Sequence, residues 1–258
     1  MMGISLREGR KMKIHVYGNI TNEKVVLLHP MYFDGEGMAK IFQGLAKDYF
    51  IISPDFSGHG SETNVKYNSL SEEIQEIRKY LKENKINQVT MLYGASMGAR
   101  AALELISYDD VEYKAVYLDG TPAYDKAPFL ESMLMFFYGI GKLIPNKLAK
   151  AIMKKTKGKK IGSRFAHSYC NLSLREINQM VHDCYTFDFR PLSEITQKRI
   201  LFDYGSKEID KKCIPKLKSA YPYANYNVRE NLDHCHYLFY NSKDLEEDIK
   251  IMIKKSQL

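Results

Sequence analysis

The chain lacks several features that point to particular classes of protein. It has no tryptophan among its 258 residues, and no segment reaches the roughly 18 uninterrupted apolar residues that a membrane-spanning helix needs. Its start has no apolar run behind the first charges, so we expect no secretory signal. Its four cysteines are widely spaced and form no Cys-x-x-Cys pair, which predicts neither disulfides nor a zinc site: Cys170, Cys184, Cys213 and Cys235. We therefore expect reduced thiols and a cytoplasmic location.

The charge of the chain is concentrated in one stretch. The formal net charge is +7, and residues 125–195 carry 12 Lys and Arg against 6 Asp and Glu, so nearly all of the excess lies there. The densest run, residues 154–160, has no aromatic residue between its lysines, which favours a solvated helix end over a nucleic-acid contact. With 45% hydrophobic and 27% charged residues, the chain has the balance of a globular protein with a core. We expect no nucleic-acid partner.

Short apolar runs alternate with helical patterns along most of the chain. The runs are residues 24–29, 49–53, 88–93, 114–118 and 199–204, and the helical patterns are 38–47, 70–84, 98–107 and 245–255. This alternation is typical of βαβ units around a mostly parallel sheet. Residues 13–17 alternate polar and apolar side chains, which predicts an antiparallel strand at the edge of that sheet.

The alternation stops in residues 125–194, where the pattern is helical throughout. A helical block between two strands of one sheet predicts a cap over the carboxyl edge, where open α/β sheets bind ligands. We therefore assign residues 1–124 and 195–258 to an α/β core and residues 125–194 to an inserted helical cap. An apolar stretch of the cap is a candidate lining for a substrate pocket: Phe129, Met133, Phe136 and Phe137. Ordinary helix core is the alternative interpretation of that stretch.

The segment Gly-Ala-Ser-Met-Gly at residues 94–98 carries the strongest chemical signal. Its Gly-x-Ser-x-Gly spacing is common by itself, but here it follows an apolar strand pattern and precedes a helical one, as a nucleophile elbow requires. A sharp strand-to-helix turn strains the backbone of the serine, and the flanking glycines let the chain pass closely. The hydroxyl of Ser96 is then free at the sheet edge, near the positive end of a helix. This arrangement predicts Ser96 as a catalytic nucleophile.

Four segments together resemble the α/β-hydrolase superfamily, and the resemblance covers essentially the whole chain. They read Leu-Leu-His-Pro-Met at 27–31, Asp-Phe-Ser-Gly-His-Gly-Ser at 55–61, Gly-Ala-Ser-Met-Gly at 94–98 and Gly-Ser-Lys-Glu at 205–208. The likeness is to small bacterial carboxylesterases and monoacylglycerol-lipase-like serine hydrolases with a helical cap. It implies an α/β-hydrolase fold, with a mostly parallel central sheet flanked by helices, and the chain order nucleophile, acid, histidine.

The same resemblance implies two partners for Ser96. The acid follows the first strand after the cap, where this chain has Glu208, with Asp210 two residues on as the alternative. The histidine belongs to the loop after the last strand, where His234 fits the family pattern better than His236. The family usually has Gly-His there, and this chain has an aspartate in place of the glycine. A glutamate suits the role of the acid because it holds the imidazole and stabilises its charged form.

An oxyanion hole needs two backbone N–H groups directed at one oxygen. By resemblance they belong to Met97, which follows the nucleophile, and to Met31, in the turn after a strand. The family has a glycine where this chain has Pro30, which lacks an N–H, but the donor in the pattern is the next residue. His29 and His59 are expected to brace these loops rather than to react.

These residues predict a serine hydrolase that cleaves a carboxylic ester or thioester of a small or lipid-like substrate through an acyl-enzyme on Ser96. Carbon–carbon bond hydrolysis or acyl transfer on the same residues is an alternative, because a fold does not fix its chemistry. A non-catalytic protein that binds a ligand under the cap is a third hypothesis. No metal or cofactor is expected. The expected partner is a small acyl substrate, a homodimer is left open, and no stable insertion into a membrane is expected.

Overall fold

The computed structural model describes residues 12–257, and a seven-stranded sheet runs through them. The strands are β1 (Ile14–Tyr17), β2 (Lys24–Leu28), β3 (Phe50–Pro54), β4 (Gln88–Ala95), β5 (Glu112–Asp119), β6 (Ile200–Gly205) and β7 (Asn225–Arg229). Their order across the sheet is β1-β3-β2-β4-β5-β6-β7, with β1 antiparallel to β3 and every other pair parallel. The predicted mostly parallel sheet with an antiparallel edge strand is confirmed.

Helices connect the strands and flank the sheet. They are α1 (Gly35–Ile41), α2 (Leu70–Glu83), α3 (Met97–Leu105), α4 (Pro128–Leu143), α5 (Asn146–Lys157), α6 (Lys159–Asn171), α7 (Leu174–Tyr185), α8 (Glu194–Lys198), α9 (Ile214–Ala220), α10 (His236–Tyr240) and α11 (Ser242–Ser256). The helix predicted over 38–47 is wrong in its extent, because α1 ends at Ile41 and a separate 3₁₀ segment covers Gln43–Lys47. Phe42, at the break, is fully buried and its ring packs against Tyr93, so tertiary packing overrides the helical spacing there.

The sheet separates two apolar cores. Val26 and Leu28 of β2 contribute to one core and Val25 and Leu27 to the other, because successive side chains of a strand point to opposite faces. Helices α2 and α3 cover the first core, and α1 and α11 cover the second. A sheet buried on both faces favours strands that are mostly apolar, as residues 91–95 of β4 are. Polar side chains therefore meet at the carboxyl edge of the strands, where the candidate site lies.

Helices α4 to α7 lie between β5 and β6, in the stretch where the sequence predicts an insertion. Helix α4 packs on α7, α5 packs on α6, and α7 also contacts α3. Helix α4 has no fully buried residue, although part of it packs against the larger core through Leu134, Met135 and Tyr138. The division into a core of residues 1–124 and 195–258 and a cap of residues 125–194 stays a prediction.

The residues predicted to line a pocket lie largely on the outer side of α4. Phe129, Phe136 and Phe137 are each at least 60% exposed, and Met133 is partly exposed. Nearly every position of α4 is apolar, so helical spacing does not reveal which side faces the protein. The structure therefore does not place these phenylalanines in a pocket.

The helices and the cysteines can be compared with what the sequence predicts about membrane spans and disulfides. No helix within residues 12–257 combines the length and the apolar character that crossing a membrane requires. The four cysteines are free thiols, and three of them are buried: Cys184, Cys213 and Cys235.

Candidate active site

Ser96 lies at the sharp turn between β4 and α3 with a strained backbone. Its φ is 53° and its ψ is −115°, outside the regions that a residue with a side chain ordinarily adopts. Glycine is required on both sides: a Cβ at Gly98 would lie 2.2 Å from the carbonyl oxygen of Leu28, and one at Gly94 would lie 2.4 Å from the Gly98 carbonyl oxygen. The Ser96 N–H donates to the carbonyl of Asp119 at 2.7 Å, which holds the turn against β5. The local structure is the elbow that the sequence predicts.

The hydroxyl of Ser96 meets a histidine from the other end of the chain. Its Oγ lies 2.8 Å from Nε2 of His234, in the loop between β7 and α10. The next residue, Cys235, has a left-handed backbone with φ of 56°, which turns the chain into α10 directly after His234. His236, the alternative candidate, begins α10 and its ring lies against Tyr240 with the centroids 4.7 Å apart. The structure thus brings His234, and not His236, to the serine.

Glu208 completes this hydrogen-bonded chain. Its Oε2 lies 2.5 Å from Nδ1 of His234, and its Oε1 accepts the N–H of Gly205 at 2.6 Å in the turn that follows β6. The carboxylate is buried, with 1% of its side chain exposed. With Nδ1–H donating to Glu208, Nε2 is left as the acceptor for the hydroxyl proton of Ser96.

Asp210, the alternative acid, lies close by but in a different position. Its Oδ2 is 3.9 Å from Nδ1 of His234, which is too far for a hydrogen bond. Its side chain is buried, and its Oδ1 has no hydrogen-bond partner among the described residues. Burial raises the pKa of the Asp210 carboxyl above its usual range. Glu208 is therefore the carboxylate that orients the imidazole, and Asp210 is a second buried acid beside it.

Several effects set the protonation of His234. Partial loss of hydration lowers the pKa of its imidazole, while the neighbouring Cys235, Glu208 and Asp210 raise it, and the net pKa is well above 6.5. Burial raises the pKa of the Cys235 thiol, which is therefore neutral near pH 7. The carboxylate of Glu208, hydrogen bonded to Nδ1, is the negative charge that we hold responsible for the rise.

The two residues predicted to form an oxyanion hole begin separate elements near Ser96. Met97 is the first residue of α3, and N–H groups in the first turn of a helix have no acceptor within the helix. Met31 lies in a turn closed by the N–H of Phe33 donating to the carbonyl of Pro30 at 3.1 Å. The following residue, Tyr32, has a φ of 69°, the positive value that a type II turn requires at this place. Both positions suit the predicted oxyanion hole, which stays a prediction.

His29 and His59 brace the loops beneath the site. His29 Nε2 accepts the N–H of Phe56 at 3.0 Å, which ties the loop after β2 to the loop after β3. The rings of the two histidines lie 4.9 Å apart, and both side chains are fully buried. Burial lowers the pKa of His59 to about 3 and also lowers the pKa of His29. Both are neutral near pH 7 and neither contacts Ser96.

Sequence reasoning missed two neighbours of the site, at the end of β5. Gly120 has a φ of 60°, and a Cβ there would lie 2.8 Å from both Glu208 and His234. Asp119 is buried and accepts the hydroxyl of Tyr93 at 2.9 Å, and burial together with nearby carboxylates raises its pKa to about 7. A glycine directly after a buried strand, at the same sheet edge as Ser96, is the signal that identifies this position.

The same carboxylates offer a possible cation site. Glu208, Asp210 and His234 present ligand atoms that all lie within 4.8 Å of one another. Binding a metal there would replace the hydrogen bond from Nδ1 of His234 to Glu208. Nδ1 of His234 can therefore either bind a metal or donate to Glu208. The hydrogen bond between Nε2 and Ser96 favours the second arrangement.

Residues 25–242 match the sequence profile of the Alpha/beta hydrolase family. The chain belongs to the α/β-hydrolase family. The search of the curated proteins found no match. Similar solved structures include an α/β-hydrolase family protein from Desulfitobacterium hafniense, with a TM-score of 0.73 and 18% identity over 93% of this chain and 100% of that one.

Two further structures broaden the comparison of this α/β-hydrolase. An esterase from a marine microorganism has a TM-score of 0.68 and 16% identity, covering 96% of this chain and 98% of that one. A bromoperoxidase from Bacillus anthracis has a TM-score of 0.73 and 16% identity, covering 94% and 95% of the two chains. At these identities the likeness establishes the shared fold and leaves the substrate open.

Proposed function

We propose that this α/β-hydrolase is a serine hydrolase that cleaves carboxylic esters through an acyl-enzyme on Ser96. The observation that carries the proposal is the unbroken hydrogen-bonded chain from the Ser96 hydroxyl through His234 to the buried carboxylate of Glu208. A nucleophile in contact with a base, and a base oriented by a third group, is the arrangement that covalent acyl transfer needs.

In the first half of the reaction, Ser96 Oγ attacks the carbonyl carbon of the ester while its proton passes to Nε2 of His234. The distance of 2.8 Å between these atoms suits that transfer. The carbonyl oxygen becomes an anion, which the N–H groups of Met31 and Met97 stabilise. The intermediate collapses, the alcohol leaves with the proton from His234, and the acyl group remains on Ser96. Glu208 stabilises the imidazolium that exists in between.

In the second half, a water molecule takes the place of the alcohol. His234 accepts a proton from the water, whose oxygen attacks the acyl carbon, and the second intermediate releases the carboxylic acid and regenerates the Ser96 hydroxyl. Both halves use the same base and the same N–H groups, so the chain's own residues account for every proton. Thioesters react by the same steps with a thiol as leaving group.

The names of some similar structures agree with ester substrates. They include the marine esterase and a protein from Nitrososphaera gargenis described among carboxylesterases, at 16% and 14% identity. Other similar structures are described as bromoperoxidases. Structural similarity therefore does not identify the substrate, and an activity assay is needed.

Steady-state kinetics with p-nitrophenyl esters of increasing chain length test the proposal. We expect turnover of some of these esters, and a loss of about 10⁴-fold or more in kcat for Ser96→Ala, because removal of the nucleophile leaves only binding and electrostatic contributions. Ser163→Ala, which removes an exposed hydroxyl bonded to the Lys159 carbonyl on α6, is the matched control and retains activity. A folded Ser96→Ala protein with wild-type turnover contradicts the proposal.

Parallel assays with other substrates, with an added alcohol and for ligand binding separate the rival reactions. Turnover of carbon–carbon substrates but of no ester identifies a carbon–carbon hydrolase, and a rate that rises with added alcohol identifies an acyltransferase. A bound ligand without any turnover identifies a receptor.

A further inference from the structure

The outer side of α4 carries a row of large apolar side chains that the described part of the chain leaves uncovered. They recur at spacings of seven, four and three residues, which places them on one side of a helix: Phe129, Phe136, Ile140 and Leu143, with Phe137 beside them. We call these five residues the α4 outer face. Phe129 is 83% exposed and Leu143 is 82% exposed. A contiguous apolar surface of this kind marks a site of interaction with a protein, a ligand or a membrane.

The chain within and after this face carries charge of one sign. Residues 132–175 contain ten Lys and Arg and no Asp or Glu. Lys147 and Lys150 are exposed on α5, directly after α4 in the chain. Lys142, near the end of α4, donates to the carbonyl of Leu172 at 2.6 Å and so joins α4 to the end of α6. Exposed positive charge therefore follows the α4 outer face within seven residues of Leu143 along the chain.

We propose that the α4 outer face docks on the surface of an anionic lipid bilayer, with the lysines of α5 and α6 against the headgroups. Phenylalanine and aliphatic side chains enter the boundary between headgroups and acyl chains, and lysines attract anionic lipids. With 16 residues, α4 is about 24 Å long and shorter than a membrane-spanning helix. The helix lies in the plane of the interface, and the contact is peripheral.

Two other occupants fit the surface less well. A second copy of the chain would bring two stretches of ten positive charges together, and their repulsion opposes association. A single-stranded nucleic acid needs aromatic stacking platforms along a basic groove. The α4 outer face has three phenylalanines, but the dense lysine run at 154–160 belongs to α5 and α6 and contains no aromatic residue, so rings and lysines do not alternate.

The inner side of the same helix lies near the candidate site. The ring of Tyr138 meets the ring of Tyr32 edge-on with 5.9 Å between centroids, and Tyr32 follows Met31 in the proposed oxyanion turn. Since a helix with its side chains is about 10 Å across, docking would bring the site close to the bilayer. Delivery of a lipid-like ester from that bilayer is a consequence that rests on the proposed function, whereas docking itself does not.

Co-sedimentation of the full chain with vesicles tests the proposal without any substrate. One set of vesicles contains phosphatidylcholine alone, and the other contains phosphatidylcholine with phosphatidylglycerol. We expect binding at least about tenfold tighter to the anionic vesicles, weakening as sodium chloride is raised. Absence of binding to both sets, or equal binding to both, overturns the proposal.

Exposed apolar residues elsewhere provide a matched control. Phe136→Ser with Phe137→Ser is expected to weaken vesicle binding at least about tenfold, because it removes the apolar anchor. Ile195→Ser with Ile251→Ser changes two residues that are at least 50% exposed on α8 and α11, and is expected to bind as the wild type does. Thermal unfolding establishes that both proteins are folded. Equal binding by the phenylalanine variant and the wild type contradicts the proposal.

Charge is tested separately. Lys147→Gln with Lys150→Gln is expected to weaken binding about fivefold for each lysine removed. Lys79→Gln with Lys82→Gln, on α2, makes the same change in net charge and is expected to have little effect. Ser96→Ala is expected to bind vesicles as the wild type does, so failure of the proposed chemistry and failure of docking are distinguishable. A dimer dissociated by the phenylalanine substitutions, or RNA binding lost with them, would assign the surface to another partner and overturn docking.

Discussion

The proposed role of Glu208 as the acid that orients His234 leads to a prediction that distinguishes it from Asp210. Glu208→Gln keeps the size of the side chain and keeps an oxygen to accept the N–H of Gly205, but it removes the negative charge beside His234. We expect a folded protein that has lost most of its activity, because a neutral amide does not stabilise the imidazolium that forms during catalysis. Asp210→Asn is the matched comparison, since it removes the charge of the other buried acid at the same site.

The magnitude follows from the geometry. The charges of an imidazolium and a carboxylate in contact are separated by about 4 Å, and at an effective dielectric constant of about 20 they interact by about 4 kcal/mol. That energy corresponds to a loss of about 10³-fold in kcat/KM for Glu208→Gln. Asp210 makes no hydrogen bond to His234, and burial raises the pKa of its carboxyl, which disfavours its charged form. We expect less than about a tenfold loss for Asp210→Asn.

The assay is kcat/KM for a p-nitrophenyl ester as a function of pH. The base must be neutral to accept a proton, so activity rises as pH increases through the pKa of His234, which lies well above 6.5. Without the carboxylate at residue 208 that pKa falls, and the rise in activity moves to lower pH. A loss for Asp210→Asn that equals or exceeds the loss for Glu208→Gln would refute this reasoning and make Asp210 the acid.

Three further predictions concern the elbow and the stability of the fold. Gly98→Ala places a Cβ 2.2 Å from the carbonyl oxygen of Leu28, and we expect thermal unfolding to show a destabilisation of about 2 kcal/mol, with reduced ester turnover. Burial lowers the pKa of His59 to about 3, so below pH 6.5 the unfolded chain takes up a proton that the folded chain does not. This residue should lower the free energy of unfolding by about 2 kcal/mol at pH 5 relative to neutral pH. Urea unfolding of His59→Gln should therefore show a smaller loss of stability on acidification than the wild type shows. Arg229→Met leaves Asp203 buried without the cation that now lies 2.6 Å away, and urea unfolding should show a loss of about 3 kcal/mol.

Each of these three has an outcome that contradicts it. An unchanged unfolding temperature for Gly98→Ala would mean that the elbow relaxes freely. An identical pH dependence for His59→Gln would mean that this histidine is solvated when folded. An unchanged stability for Arg229→Met would mean that the remaining donors to Asp203, from Tyr117 and Asn227, suffice.

The parts of the fold that the sequence predicts are those set by local pattern. Apolar runs indicate the strands because a sheet buried on both faces favours apolar side chains on both sides of each strand. The elbow at Ser96 is likewise local, since the glycines on either side are required by contacts within a few ångströms. The resemblance to the α/β-hydrolase family, with its order of serine, acid and histidine, then favoured Ser96, Glu208 and His234, which the structure brings together.

The parts that the sequence does not predict depend on distant contacts. Helix α1 ends at Ile41 because Phe42 packs on Tyr93, 51 residues further along the chain. The sequence favours His234 over His236 by resemblance alone, and it does not predict the left-handed backbone of Cys235 that directs the chain into α10 after His234. The outer side of α4 is apolar like its inner side, so composition alone does not tell a pocket wall from an exposed surface.

The most direct test of the central claim is covalent labelling of the purified chain with a fluorophosphonate probe, followed by peptide mass spectrometry. Such probes react with a serine whose hydroxyl is activated by a neighbouring base. We predict a single labelled site at Ser96, with labelling lost in His234→Ala and greatly slowed in Glu208→Gln. A folded protein that shows no labelling, or labelling at another serine, would contradict the assignment of Ser96 as the nucleophile.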